Sequence, residues 1–192
     1  MPLIKLSVSE RFIMESYIQI STLNDFCFCP LSLYLHSVYQ SFNTSLYHDT
    51  PQVVGTINHA TIDEGRYSTS KHILQGISVY SEKFGIMGKI DIYDGKKKEL
   101  VERKTKIKTI WPGYLYQLYG QYFCMREMGY EVEKLFLHSL ADNKRYPIFF
   151  PTDREEKRFG FFVEQMRAFD IRKYKNHHCR KCTNSIYGIL TW

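Results

Sequence analysis

Two carboxylates and a lysine lie within fourteen residues of one another in this chain: Asp91, Glu102 and Lys104. Side chains alternate across an extended strand, so Glu102 and Lys104 point to the same face. If Asp91 lies on a neighbouring strand with its side chain on that face, two carboxylates and an ammonium group converge. Such a set can hold a divalent cation against a phosphodiester. The bland alternative is also common: an Asp near a turn, and Glu-x-Lys on a solvated strand.

The segment that must position them is GIMGKIDIYDGKKKELVERKTKI, Gly85 to Ile107. It reads as a β-hairpin. Gly85 to Asp94 is largely apolar and β-branched, Asp94-Gly95 is a turn pair, and Glu99 to Ile107 returns extended. Upstream, Gln75 to Phe84 predicts a strand paired with the hairpin, making a three-stranded meander. Ser68 to Gln75 reads as a polar connection.

Tyr17 to Ile20 predicts a short strand, and Ser21 an N-cap for a helix through Leu23 and Phe26. Pro30 interrupts that helix or begins a new one, with Leu31, Tyr34, Leu35 and Val38 at helical spacing. Residues 40–54 read as a loop and Val53 to Arg66 as a helix carrying His59. A lone helical His is more often structural than a ligand. Trp111-Pro112-Gly113 reads as a turn before a helix from Tyr114 to Met128. Leu115, Leu118, Tyr122, Met125 and Met128 mark its apolar side. Gln117 and Gln121 lie one turn apart, facing a site or solvent equally well, and Cys124 falls in the apolar pattern. Glu131 to Leu140 predicts a strand, Asp142-Asn143-Lys144 a hairpin turn and Tyr146 to Phe150 the return strand. Asp153 to Lys173 predicts a long helix with a core stripe of Phe159, Phe162, Met166 and Phe169. The order helix, strands, helix indicates an α/β (α+β) core.

The bulk properties are compatible with a polyanionic partner. The 192 residues carry a formal net charge of +6, with 15 Tyr and 13 Phe. A basic, Tyr-rich surface suits a polyanion without proving one. The length suits one domain. No run of roughly 18 apolar residues exists, so no membrane span is expected, and MPLIKLSVSE lacks a signal-peptide apolar region. A cytoplasmic protein with reduced thiols is therefore expected. Five Cys in such a chain favour metal ligation or burial over disulfides. Cys179-x-x-Cys182, beside His177 and His178, has the spacing of a metal half-site. Cys27 and Cys29 are the obvious donors to close it, which would staple the two ends of the chain together.

Taken together, these motifs resemble the RecB-like nucleases of the CRISPR adaptation module, Cas protein four, within the PD-(D/E)xK superfamily. The resemblance rests on NDFCFCPLSLYLH from Asn24, the Gly55-x-x-x-His59 spacing and GKID at Gly88 to Asp91. It continues through ERK at Glu102 to Lys104, QLYGQYF at Gln117 to Phe123, and the terminal CxxC.

The resemblance implies a restriction-endonuclease-like core sheet flanked by helices, forming one nuclease domain over residues 1–192. Residues 27–29 and 177–192 would form its cysteine cluster. It implies that His59, Asp91, Glu102 and the carbonyl of Arg103 bind Mn²⁺ or Mg²⁺, and that Lys104 orients or helps activate the attacking water. Gln117, Gln121 and Tyr122 would contact DNA. Cys29, Cys179 and Cys182 would ligate an iron–sulfur cluster of the 4Fe–4S type, with zinc as the alternative.

The family usually closes its cluster with one more cysteine. Here TNSIYGILTW supplies none, the matching position being Gly188 by spacing or Thr191 by context. Either Cys27, His177 or His178 is the fourth ligand, or the cluster is altered or absent. Members also often carry Tyr four residues after the Gln; here that position is Gln121.

The implied activity is metal-dependent exonuclease or endonuclease cleavage of single-stranded DNA ends, trimming prespacers for integration into the CRISPR array. The implied partner is the integrase formed by Cas proteins one and two. Two other readings are a non-catalytic DNA-end-binding subunit of that complex, and a zinc-stabilised interaction module.

Overall fold

The computed structural model describes residues 17–35, 68–174 and 179–184. The helix expected at Val53 to Arg66, with His59, lies outside these residues, as does the loop at 40–54.

The protein is a mixed α/β fold with helices against a mixed sheet. Strand β1 (Ile18–Gln19) is followed by helix α1 (Thr22–Phe28). Ser21 stands at the N-cap but makes no capping bond; instead the Thr22 hydroxyl donates to the Gln19 carbonyl at 2.7 Å. The helix ends before Pro30, whose ring cannot continue it, and Cys29 is extended. One further helical turn follows at 32–35.

Five strands come next. They are β2 (Ile73–Gln75), β3 (Ser78–Ser81), β4 (Ile86–Lys89), β5 (Ile92–Asp94) and β6 (Glu99–Lys104). Two sequence expectations are corrected here. The polar connection before Gln75 contains strand β2. The strand expected over Gly85 to Asp94 is broken at Ile90-Asp91, and its facing strand is broken at Gly76-Ile77. Gly76 takes φ +63°, where a side chain would be strained. The two breaks face each other: Gly76 N–H donates to Ile90 O at 3.1 Å, and Ile90 N–H donates to Ile77 O at 3.0 Å.

The meander therefore bends as a unit and its halves join different sheets. Strands β1, β4 and β3 make a three-stranded sheet in that order; β2, β5, β6, β7 and β8 make a five-stranded one. The bend carries β4 away from β6, and Asp91 sits at the fork.

Helix α2 (Pro112–Glu127) returns the chain from β6 to β7 (Lys134–Ser139), which pairs parallel with β6. Adjacent parallel strands need such a crossover, and the crossover helix packs on the sheet it connects. The expected Trp-Pro-Gly turn is instead the start of this helix. Pro112 occupies the first turn, where its missing N–H costs nothing and its fixed φ suits a helix. Strand β8 (Lys144–Ile148) pairs antiparallel with β7 across a turn at Asn143.

Helix α3 (Asp153–Arg167) opens with a capping box in which Thr152 N–H donates to Glu155 at 2.7 Å. It stops short of the expected Lys173. Asp170 accepts from the Arg172 N–H at 3.0 Å, which favours the tighter 3-10 turn Ile171–Tyr174 over continued helix. A short helix, α4 (Arg180–Thr183), the last among the described residues, carries Cys182. Among the described residues no helix is long and apolar enough to cross a membrane.

Helix α2 is central and buried on most of its circumference. Leu118, Phe123, Cys124 and Met125 pack among Leu100, Leu135 and Leu137 of the sheet, Leu23 and Phe26 of α1, and Phe159, Val163 and Met166 of α3. Each large side chain so buried contributes about 1.5–3 kcal/mol. The same core holds the Gln117–Gln121 face of α2 against the fork in the sheet.

Candidate functional site

Strand β6 places Leu100, Glu102 and Lys104 on the face that meets α2. Leu100 is fully buried in the core, and the two charged residues continue the row toward the strand end. On the other face Val101 joins Ile92, Ile73 and Phe136 in a smaller apolar cluster. Apolar neighbours on both faces thus fix which way Glu102 points.

The last pairing of β6 with β5 is Val101 with Ile92. Beyond it β5 has turned away, so the edge of β6 at Arg103 is free of that strand. Asp91 fills the gap: its Oδ2 accepts from the Arg103 N–H at 2.6 Å. On a strand the N–H and C=O of one residue face the same edge. The Arg103 carbonyl therefore points to the side on which Asp91 sits.

Glu102 is 4% exposed. Its Oε1 meets Lys104 Nζ at 2.8 Å, and its Oε2 accepts from Gln121 Nε2 at 2.6 Å. Lys104 Nζ also donates to Gln117 Oε1 and lies 5.0 Å from the Tyr114 ring centre. Gln117 Nε2 donates to the Ser21 carbonyl at 3.0 Å, and Gln121 Nε2 to the Lys89 carbonyl at 3.3 Å. Four elements thus converge on one carboxylate–ammonium pair: the start of α1, the end of β4, β6 and α2.

These groups line a cleft of about 510 Å³, walled also by Gln19, Ile20, Met87 and Gly88. Burial, and then the Asp91 charge, hold the Glu102 carboxyl above the usual carboxylate range; Lys104 and the Gln121 amide oppose that shift. Two buried carboxylates lie together in the cleft, whose lining also holds Lys104 and Lys89. Carboxylate and carbonyl oxygens are hard donors, which suit Mg²⁺ or Mn²⁺.

Of the residues singled out in the sequence, Asp91, Glu102, Lys104, Gln117 and Gln121 meet at this cleft. Tyr122 lies on another side of α2, against Phe150 at 5.1 Å and under Arg126 at 5.5 Å. His59, His177, His178, Gly188 and Thr191 lie outside the described residues. The carbonyls of Ser21 and Lys89 were not foreseeable, since backbone groups leave no mark in composition. Tyr114 had a signal, standing three residues before Gln117 on the same helix.

Cys29, Cys179 and Cys182 form a second centre. Their sulfurs all lie within 4.8 Å of one another. Cys29 and Cys182 are buried with Leu31 and Leu35, and Phe28, Ile171 and Tyr174 pack around them. Burial and the two neighbouring cysteines push the Cys182 thiol up to about 12. Three soft donors so crowded suit a thiolate-loving metal or an iron–sulfur cluster. Cys27 is not in this group; burial raises its thiol, and Lys181 is its charged neighbour. Lys181 ties the terminal segment to the site helix, lying 5.1 Å from the ring of Trp111, the residue before α2.

No family model matches this chain. It is 28% identical over 147 residues to a CRISPR-associated exonuclease Cas4/endonuclease Cas1 fusion of Geobacter sulfurreducens. The match covers 69% of this chain and 26% of the fusion, so the chain spans about a quarter of that relative's length. The crystal structure of SSO0001 superposes with a TM-score of 0.58 at 16% identity, covering 92% of this chain and 86% of that one. This second likeness is one of fold.

Proposed function

We propose that the chain is a divalent-metal-dependent DNA nuclease of the CRISPR-associated Cas4-like type, acting on single-stranded ends as one nuclease domain. The observation that carries the reading is the meeting of Asp91, Glu102 and Lys104 in one cleft, with Asp91 pinned to the Arg103 N–H. The similarity to part of an exonuclease/endonuclease fusion supports it at the level of family.

Asp91, Glu102 and the Arg103 carbonyl, with His59 as the implied imidazole donor, would hold Mn²⁺ or Mg²⁺. When bound, such an ion supplies Lewis acidity and lowers the pKa of water. The chain's own residues do the rest. The Arg103 N–H orients Asp91, while Gln121 and Lys104 orient Glu102. Gln117 holds the Lys104 ammonium beside the carboxylates, where it stabilises charge building on a phosphate oxygen. Exposed aromatic residues would stack unpaired bases, which favours single-stranded substrates.

Cys29, Cys179 and Cys182 would carry an iron–sulfur cluster or zinc. The biological role we assign is prespacer trimming beside the integrase formed by Cas proteins one and two.

The test is cleavage of end-labelled single-stranded DNA with Mn²⁺. Wild type degrades it, and Glu102→Ala and Lys104→Ala do not. Undiminished cleavage by both variants would sink the assignment. Tight DNA binding without cleavage under any divalent metal would favour a non-catalytic end-binding subunit.

A further inference from the structure

Gln121 is 3% exposed, yet it holds together the two strands that part at the site. Its Nε2 carries two hydrogens and has two acceptors. One is Glu102 Oε2 on β6 at 2.6 Å; the other is the carbonyl of Lys89, the last residue of β4, at 3.3 Å. This orientation of the amide is fixed. Exchanging its oxygen and nitrogen would set a carbonyl oxygen against a carboxylate and a second carbonyl, two repulsions in place of two bonds. The remaining atom, Oε1, is buried and has no hydrogen-bond partner among the described residues. A buried acceptor left unsatisfied costs about 1–3 kcal/mol, a cost borne while Nε2 keeps its two acceptors.

Glu102 accepts one hydrogen bond on each oxygen, from Lys104 and from Gln121. Two such donors fix the plane of the carboxylate. Lys104 is itself shared with Gln117 and Glu102, so Gln121 is the one neutral donor that Glu102 has among the described residues. Its second bond, to Lys89 O, acts two residues before Asp91. One amide therefore sets both the orientation of Glu102 and the separation of Glu102 from the strand that delivers Asp91.

We infer that Gln121 is the positioning residue of the carboxylate pair, rather than a contact to DNA. Nε2 fixes Glu102 and the fork between β4 and β6. The inference rests on the proposed binding of a divalent cation by Asp91 and Glu102.

The test variant is Gln121→Met, which keeps length and burial and removes every hydrogen bond. Mn²⁺ binding to metal-free protein is measured by electron paramagnetic resonance, and DNA cleavage is measured across a Mn²⁺ series. Loss of such a supporting partner typically weakens metal affinity about 10- to 100-fold. Half-saturation by Mn²⁺ is expected to rise by that factor in both measurements. DNA affinity in EDTA and the cooperativity of melting are expected to stay as in wild type, which a general packing defect would not leave intact. Wild-type Mn²⁺ affinity in Gln121→Met, or a selective loss of DNA affinity, overturns this inference and leaves the nuclease reading standing. Absence of Mn²⁺ binding in wild type overturns both.

Discussion

The Oδ2 of Asp91 accepts a 2.6 Å hydrogen bond from the backbone N–H of Arg103, the residue between Glu102 and Lys104. The bond joins two strands just beyond their last paired residues, Ile92 and Val101. It positions the first carboxylate relative to the second without using a side chain of β6.

Asp91→Asn separates charge from position, because the amide oxygen can still accept from Arg103. The variant is expected to melt within about 2–4 °C of wild type, the shift expected for about 1 kcal/mol. Its Mn²⁺ affinity is expected to fall at least tenfold, measured by electron paramagnetic resonance titration.

Lys104→Met tests the ammonium. Lys104 touches Glu102 and Gln117; its loss removes one of the two donors to Glu102 but also a positive charge that opposes cation binding, effects of opposite sign on Mn²⁺ affinity. Turnover at saturating Mn²⁺ is expected to fall about 10²–10³-fold, the usual cost of one group that stabilises transition-state charge. The Mn²⁺ concentration for half-maximal rate is expected to move by less than threefold, opposite to the pattern for Gln121→Met. Single-turnover kinetics on labelled DNA reads both quantities.

Glu102 links stability to pH. Burial and the Asp91 charge raise its native pKa, so the native state holds this proton more tightly than the unfolded chain does. The metal-free protein therefore loses stability as pH rises from the ordinary glutamate value to the raised native one, and no further above it. Glu102→Gln removes this contribution. Its melting temperature at pH 8 in EDTA is expected to exceed that of wild type, with a flatter pH profile over the same window. Equal melting temperatures and slopes would contradict the assignment.

The thiol centre predicts a division among the cysteines. Cys29→Ala, Cys179→Ala and Cys182→Ala are each expected to lose bound metal, whereas Cys27→Ser keeps it, because only the first three thiols share one point. Iron, sulfide and zinc quantitation on anaerobically purified protein reads the outcome. Brown colour with absorbance near roughly 400 nm indicates an iron–sulfur cluster. Removing the metal is expected to lower stability, by about 2.7 kcal/mol where its concentration had been 100 times Kd.

Gly85 holds the turn before β4 with φ +56°, and a Cβ there would stand 1.8 Å from Arg167 Nη2. That guanidinium donates to the carbonyls of Phe84 at 2.7 Å and Gly85 at 3.0 Å. Gly85→Ala is expected to cost about 1–3 kcal/mol in urea denaturation through strain alone, and more through the displaced arginine. In an Arg167→Met background the added cost is expected to be smaller, a coupling that a double-mutant cycle measures.

The sequence by itself determined what each element presents. Alternation along β6 puts Glu102 and Lys104 on one face, and the helical repeat puts Gln117 and Gln121 on one side of α2. The CxxC spacing puts Cys179 and Cys182 together. The apolar stripe of α3 and the pairing of β7 with β8 were legible for the same reason: a periodicity of two or 3.6 is local, and local sterics enforce it. Only the tertiary structure decided how these directions meet. The break at Ile90-Asp91 was not legible because Ile86, Ile90, Ile92 and Tyr93 carry a strand pattern across it, and its partner bend at Gly76 lies on another strand. That Cys27 stands apart from Cys29, Cys179 and Cys182 depended on how the segment after α1 packs against α4. The role of Gln121 depended on where β4 ends relative to β6. Spacing along a chain fixes the angle between side chains of one element. The distance between elements is set by register and core packing, which arise from residues far apart in sequence.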